Sequence, residues 1–229
     1  MNKESNSYTL IYASVMVTLV ALALALTSEL LRPQQAKNEA VDKMRQILYS
    51  LNLSSAPADA EALYQSTIVD AYRINARGIV VEGAAFDVEL ADELRKPAEK
   101  RIYPVFEAKI DGEKKYVLSL RGTGLWGPVW GYIALNSDKK TVYGASFGHE
   151  SETPGLGGEI DKPAFAQAFQ GKRIFDSTDQ FTSIAIVKPG RTVHGRDAVD
   201  GISGGTITSQ GVDAMLFAGL KSYLPFLER

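Results

Sequence analysis

A chain of 229 residues with 45% hydrophobic and 23% charged side chains can bury one proper core, which excludes the disordered, collagenous and coiled-coil classes. Its 25 Lys and Arg against 27 Asp and Glu leave a formal net charge of -2, so no basic excess exists to neutralise a phosphate backbone, and nucleic acid is not an expected partner. With no cysteine, disulfides, thiolate metal centres and thiol nucleophiles are excluded, and any redox chemistry requires a borrowed organic cofactor.

The run from Ser7 to Ser28 contains no charge, and at about 1.5 Å per helical residue it just spans a hydrocarbon core of roughly 30 Å. Only Lys3 precedes it, and Ala21, Ala23 and Ala25 lie inside it, so the run reads as an uncleaved transmembrane anchor rather than a signal peptide. Arg32, Lys37, Lys43 and Arg45 follow; counted literally, these charges place the large domain on the cytoplasmic side. Ser14 with Thr18, and Ala21 with Ala25, give small-xxx-small spacing suited to contact with a neighbouring helix.

Beyond Pro33, the apolar positions Ala36, Ala40, Val41, Met44, Ile47 and Leu48 recur at helical spacing and predict a juxtamembrane helix. A second helix is expected from Ala58 to about Arg77, then a strand in Gly78–Gly83. In the centre, VFEAKI and KKYVLSLR flank Asp111-Gly112 and form the strongest hairpin signal in the chain. VWGYIAL and KTVYGASFGH continue the strand pattern around a turn at Asn136-Ser137-Asp138. A short helix at Ala164–Phe169 and a strand in FTSIAIV follow, and a final helix covers QGVDAMLFAGLKSYL with Thr208 and Ser209 as caps. The pattern is an α+β domain on a membrane stalk, divided as anchor 1–28, juxtamembrane segment 29–52 and globular domain 53–229.

Two motifs point in directions that their context refuses. Gly122-Thr123-Gly124-Leu125-Trp126-Gly127 matches G-x-G-x-x-G, but it leads through Pro128 into the strand-like Val129–Ile133 instead of opening a helix, so it reads as a glycine-rich strand connection. Gly201-Ile202-Ser203-Gly204-Gly205 matches the G-x-S-x-G nucleophile elbow, yet both histidines, His149 and His194, precede Ser203, whereas that fold requires a downstream base. An anchored hydrolase of another triad order stays open as an alternative. His149, Glu150 and Glu152 could group around a divalent cation, but they read more simply as a solvated polar loop, and His194 likewise. Trp126 and Trp130, with Tyr132 and Tyr143, read as core aromatics of a strand pair rather than as a stacking platform.

The segment from Asp200 to Ser209 is a small-residue loop rich in hydroxyls that runs into a helix N-terminus, where free N–H groups and the helix dipole favour a phosphate. Its Asp200-x-x-Ser203-Gly204-x-Thr206 pattern resembles the flavinylation motif of proteins that carry FMN in phosphoester linkage to a threonine. Glu152-Thr153-Pro154-Gly155-Leu156-Gly157-Gly158-Glu159-Ile160 and the Gly-Leu-Trp stretch resemble the same group, most closely the C subunit of the sodium-translocating NADH:quinone oxidoreductase; the G subunit of the Rnf complex is similar in the threonine motif. Gly205 stands where that family usually has alanine.

The resemblance implies an FMN-binding domain of twisted antiparallel sheet with flanking helices, on a single N-terminal transmembrane helix. It implies a covalent FMN on Thr206, attached by a magnesium-dependent flavin transferase from FAD. It implies ring contacts from Thr153, Gly155 and Leu156, with Ser203, Gly204, Gly205 and Thr208 around the phosphate and ribityl chain, and Asp200 read by the transferase or structuring the loop. The expected function is electron relay within a sodium-pumping NADH:quinone reductase, beside other membrane subunits and lipid, with NADH oxidised elsewhere in the complex. No independent catalytic residue or metal ligand is expected. The soluble domain would lie on the periplasmic side of a bacterial inner membrane, against the literal charge count. An Rnf-type subunit and a stand-alone flavin-binding regulatory domain are the alternatives.

Overall fold

A computed structural model describes residues 5–229; Lys3, weighed above as the charge preceding the anchor, lies outside them. The chain divides into two compact units between Lys43 and Met44. From Asn6 onward the first belongs to α1 (Asn6–Ser50), whose most apolar stretch has a mean hydropathy of 2.3 and is entirely unburied. By length and composition α1 can cross a membrane. Two threonine hydroxyls within its apolar run are satisfied inside the helix: Thr18 and Thr27 donate to the carbonyls of Ser14 and Ala23, each at 2.8 Å.

In the second unit, strands with two apolar faces organise the core. Among the described residues, β1 (Ile68–Asn75), β2 (Val80–Val81), β3 (Ile102–Ile110), β4 (Glu113–Thr123), β5 (Pro128–Leu135) and β6 (Val142–His149) form one antiparallel sheet in the order β2-β1-β3-β4-β5-β6. Successive residues serve opposite faces, as the strand period requires. Val105, Leu118, Ile133 and Leu135 join the core beneath the C-terminal helix α5 (Thr206–Ser222), with Met215, Leu216 and Leu220. Phe106, Val117 and Ala134 join a second core under Ile47 of α1 and Leu51 of the turn after it, flanked by Tyr64 of α2 (Ala60–Thr67). Among the shorter elements are α3 (Leu90–Glu93), α4 (Pro163–Gln167), the parallel pair β7 (Ala185–Val187) and β8 (Ala198–Asp200), and α6 (Leu224–Leu227).

The hairpin at Asp111-Gly112 forms as expected. Both residues have positive φ, 50° and 84°, the type I′ geometry whose twist matches the flanking strands. The glycine-rich connection Gly122–Gly127 joins β4 to β5 and opens no helix. The expected helix from Ala58 to Arg77 is corrected: it stops at Thr67, and Ile68–Asn75 runs as β1 against β3. Pairing in the sheet overrides the helical pattern of that segment. Trp130 and Tyr132 behave as core aromatics. Trp130 lies across from Gly148, Phe147 lies across from Gly131, and the Trp130 indole N–H donates to Gln46 at 2.7 Å. Trp126 does not: it is 66% exposed on the β4–β5 connection.

Candidate functional site

Three chain segments that share small residues meet at the N-terminus of α5. The helix begins at Thr206 with Gly205 at its N-cap, so Thr206 stands in the first helical turn, exposed, rather than in a loop before it. Thr208 and Ser209, expected as caps, lie inside the first turn and are buried. Their hydroxyls are committed: Thr208 donates to Glu152 Oε2 at 2.5 Å, and Ser209 Oγ accepts the Ile202 N–H at 3.0 Å. No side chain caps the first N–H groups of α5. A 17-residue helix thus ends in uncapped donors beside an exposed hydroxyl, an arrangement suited to a phosphate ester.

Ser203 and Gly204 form the exposed turn into this helix, and Gly204 has φ +75°, a conformation that favours glycine. A methyl on Gly204 would stand 2.6 Å from Leu156 Cδ2, and one on Gly205 would stand 3.1 Å from the Gly157 backbone. The 203–206 turn and the Thr153–Gly158 loop are therefore in close contact. In that loop Thr153, Gly155 and Leu156 are exposed, Gly155 has φ +75°, and the Thr153 carbonyl accepts the N–H groups of Leu156 and Gly158. Asp200 ends β8, where its Oδ1 accepts the Gly190 N–H at 3.2 Å, a loop-structuring contact.

Glu152 is not part of a solvated loop as its neighbours His149 and Glu150 suggested; it is 4% exposed. Its Oε1 accepts the Trp126 N–H at 2.8 Å, and its own N–H donates to His149 Nδ1 at 3.2 Å. Burial pushes its carboxyl up, but hydrogen bonds from the Thr208 hydroxyl and from the backbone of Trp126, Leu125 and Gly127 outweigh that and hold it below the ordinary carboxylate range. Each of the three segments carries exposed apolar side chains: Leu125 and Trp126 on the β4–β5 connection, Leu156 on the 153–158 loop and Ile207 on α5. Besides the two expected caps, sequence reasoning misplaced Trp126 and Glu152. The only signal for either was the glycines beside them, whose spatial partners a linear reading does not reveal.

Comparison with known proteins agrees with this geometry. The family described as FMN-binding domain matches residues 124–221, which include the 153–158 loop, the 203–206 turn and the first turn of α5. The C subunit of the Na(+)-translocating NADH-quinone reductase of Pseudomonas aeruginosa is 30% identical over 94% of this chain and 91% of its own length. Its counterpart in Vibrio vulnificus is 31% identical over 87% of this chain and 85% of that protein. The crystal structure of the C subunit from Parabacteroides distasonis superposes with a TM-score of 0.83 at 50% identity, covering 87% of this chain and 98% of that one.

The chain belongs to the family of C subunits of the Na(+)-translocating NADH-quinone reductases. A more distant structure, NqrC of Shewanella oneidensis, shares the fold with a TM-score of 0.69 at 23% identity. In this member of the family the fold class expected from sequence, an antiparallel sheet flanked by helices behind one long apolar helix, is the one observed.

Proposed function

We propose that this chain is the FMN-carrying electron-transfer subunit of a sodium-translocating NADH:quinone reductase, with the flavin joined through its phosphate to Thr206. The observation that carries the reading is the state of the hydroxyls at the head of α5. Those of Thr208 and Ser209 are buried and bonded, while that of Thr206 is exposed at the first position of an uncapped helix. The FMN-binding domain match and the names of the relatives support the same reading.

In maturation Thr206 Oγ forms the bond to phosphorus as the pyrophosphate of FAD breaks; AMP leaves, and the hydroxyl proton passes to a base of the transferase. Once bound, the isoalloxazine supplies reversible electron uptake, and a phosphate linkage leaves the ring unmodified, so its surroundings set its potential. The chain's own part is positional. The N–H groups of Thr206, Ile207 and Thr208 and the helix dipole would hold the phosphate, with Ser203, Gly204 and Gly205 forming the turn beside it. Thr153, Gly155 and Leu156 would contact the ring, and the exposed Leu125, Trp126 and Ile207 would offer it apolar surface.

The division proposed is an anchor over 1–28, a juxtamembrane segment over 29–52 whose end packs on the sheet through Ile47 and Leu51, and an FMN domain over 53–229. The domain lies on the periplasmic side of a bacterial inner membrane, the anchor sits in lipid against other subunits, and a flavin transferase completes the protein. Full-length chain co-produced with a flavin transferase tests the attachment. Under ultraviolet light after denaturing electrophoresis, wild type and Ser203→Ala give a fluorescent band, and Thr206→Ala gives none. A band persisting in Thr206→Ala contradicts the assignment.

A further inference from the structure

One buried side chain joins all three glycine-rich segments, and electron relay gives it no task. Glu152 comes from the head of the 152–158 loop, its Oε1 takes the Trp126 N–H of the β4–β5 connection, and its Oε2 takes the Thr208 hydroxyl of α5. Two glycines make room for it. A methyl on Gly124 would collide with Glu152 Oε1, and one on Gly157 would stand 2.6 Å from Oε2 and collide with Thr208 Oγ1. Both glycines have φ outside the left-handed region, so their lack of a side chain provides space for the carboxylate rather than a special backbone conformation.

Helix geometry turns this anchor into a statement about Thr206. Residues two apart on an α-helix point about 200° away from each other. With Thr208 held inward against Glu152, Thr206 is turned outward, as its exposure and the burial of Thr208 record. Without the anchor, the first turn of α5 has no side-chain cap to hold it, and helix ends fray.

We propose that Glu152 is the positioning residue of the flavin site: it ties the β4–β5 connection, the 152–158 loop and the first turn of α5 into one arrangement and so fixes the direction in which Thr206 Oγ and the surrounding apolar rim are presented. The role rests on reading Thr206 as the attachment residue, and it is geometric rather than chemical. Glutamine can fill it. In Glu152→Gln the side-chain oxygen would keep the Trp126 N–H, while the new amide N–H would donate to Thr208 Oγ1, which changes from donor to acceptor.

Two readouts on the full-length chain separate this proposal from the attachment reading. In protein produced without transferase, amide hydrogen exchange across 203–209 should be about tenfold faster in Glu152→Ala and Thr208→Val than in wild type, and within about threefold of wild type in Glu152→Gln. With transferase present, covalent flavin per folded molecule should fall about tenfold in the first two variants and hold within about threefold in the third. Circular dichroism counts the folded molecules, and if Glu152→Ala does not fold, Thr208→Val replaces it. Wild-type exchange rates in both disruptive variants, or a Glu152→Gln as impaired as Glu152→Ala, overturn the positioning role. A wild type that never takes flavin defeats the attachment reading alone, because the exchange measurement still decides the role of Glu152.

Discussion

Glu152 can stay ionised while buried because its oxygens accept bonds from a hydroxyl and from backbone N–H groups that no rotamer can withdraw. Its carboxyl is held below the value it has in the unfolded chain, about 4.3. A group depressed in this way contributes stability at pH above its unfolded value and loses that contribution as pH falls through its folded value. Glu152→Gln removes this titration and leaves the other depressed carboxylates, Glu113, Asp138 and Asp176, unchanged. Urea unfolding should therefore show wild type gaining on Glu152→Gln between about pH 3 and pH 7; a difference that stays constant over that range contradicts an ionised buried carboxylate. At this scale the sequence nominated Thr206 through its motif, because such a pattern is local, and the structure places that residue exposed at the head of α5. The sequence did not disclose Glu152 or Trp126. Beside His149 and Glu150 a carboxylate looks solvated, and beside Trp130 an indole looks buried. Only the meeting of distant loops reverses both.

Helix α5 lies close on β4 because glycines remove side chains at their contact. A methyl on Gly122 would stand 2.7 Å from Met215 Cβ, one on Gly219 would stand 2.7 Å from Leu120 Cδ2, and one on Gly211 would collide with the Thr123 carbonyl oxygen. Gly211 lies inside the helix, where alanine is intrinsically better by about 1 kcal/mol. Its clash is with backbone, which cannot step aside as a leucine tip can. Overpacking of this kind costs about 1–3 kcal/mol, so Gly211→Ala should lower the melting temperature, and by more than Gly219→Ala does. A raised melting temperature in Gly211→Ala would show that α5 and β4 are less tightly apposed than described. Among elements, the β3–β4 hairpin was legible because Asp-Gly demands positive φ locally, at 50° and 84°. The β1 strand was not, because its apolar spacing suits a helix as well, and pairing with the distant β3 decides the matter. Strand β7 falls within the strand expected in FTSIAIV, whereas its parallel partner β8 spans three residues, too few for a pattern to register.

For the whole molecule, the apolar run within α1 and the alternating strands beyond it separate an anchor from a folded domain at the level of composition, so the architecture was readable from the chain. The site was readable only in pieces. Its parts span Gly122 to Ser209 and meet through contacts that no periodicity encodes: Gly157 against Thr208, Gly204 against Leu156, and Glu152 against Trp126. The account depends on a flavin phosphate esterified to one exposed threonine at the head of α5. Mass spectrometry of the tryptic peptide 197–221, from protein purified out of its native membrane, measures this directly. The expected spectrum shows that peptide heavier by one flavin mononucleotide less water, with fragment ions placing the addition on Thr206. An unmodified peptide, or an adduct on Ser203, contradicts the account.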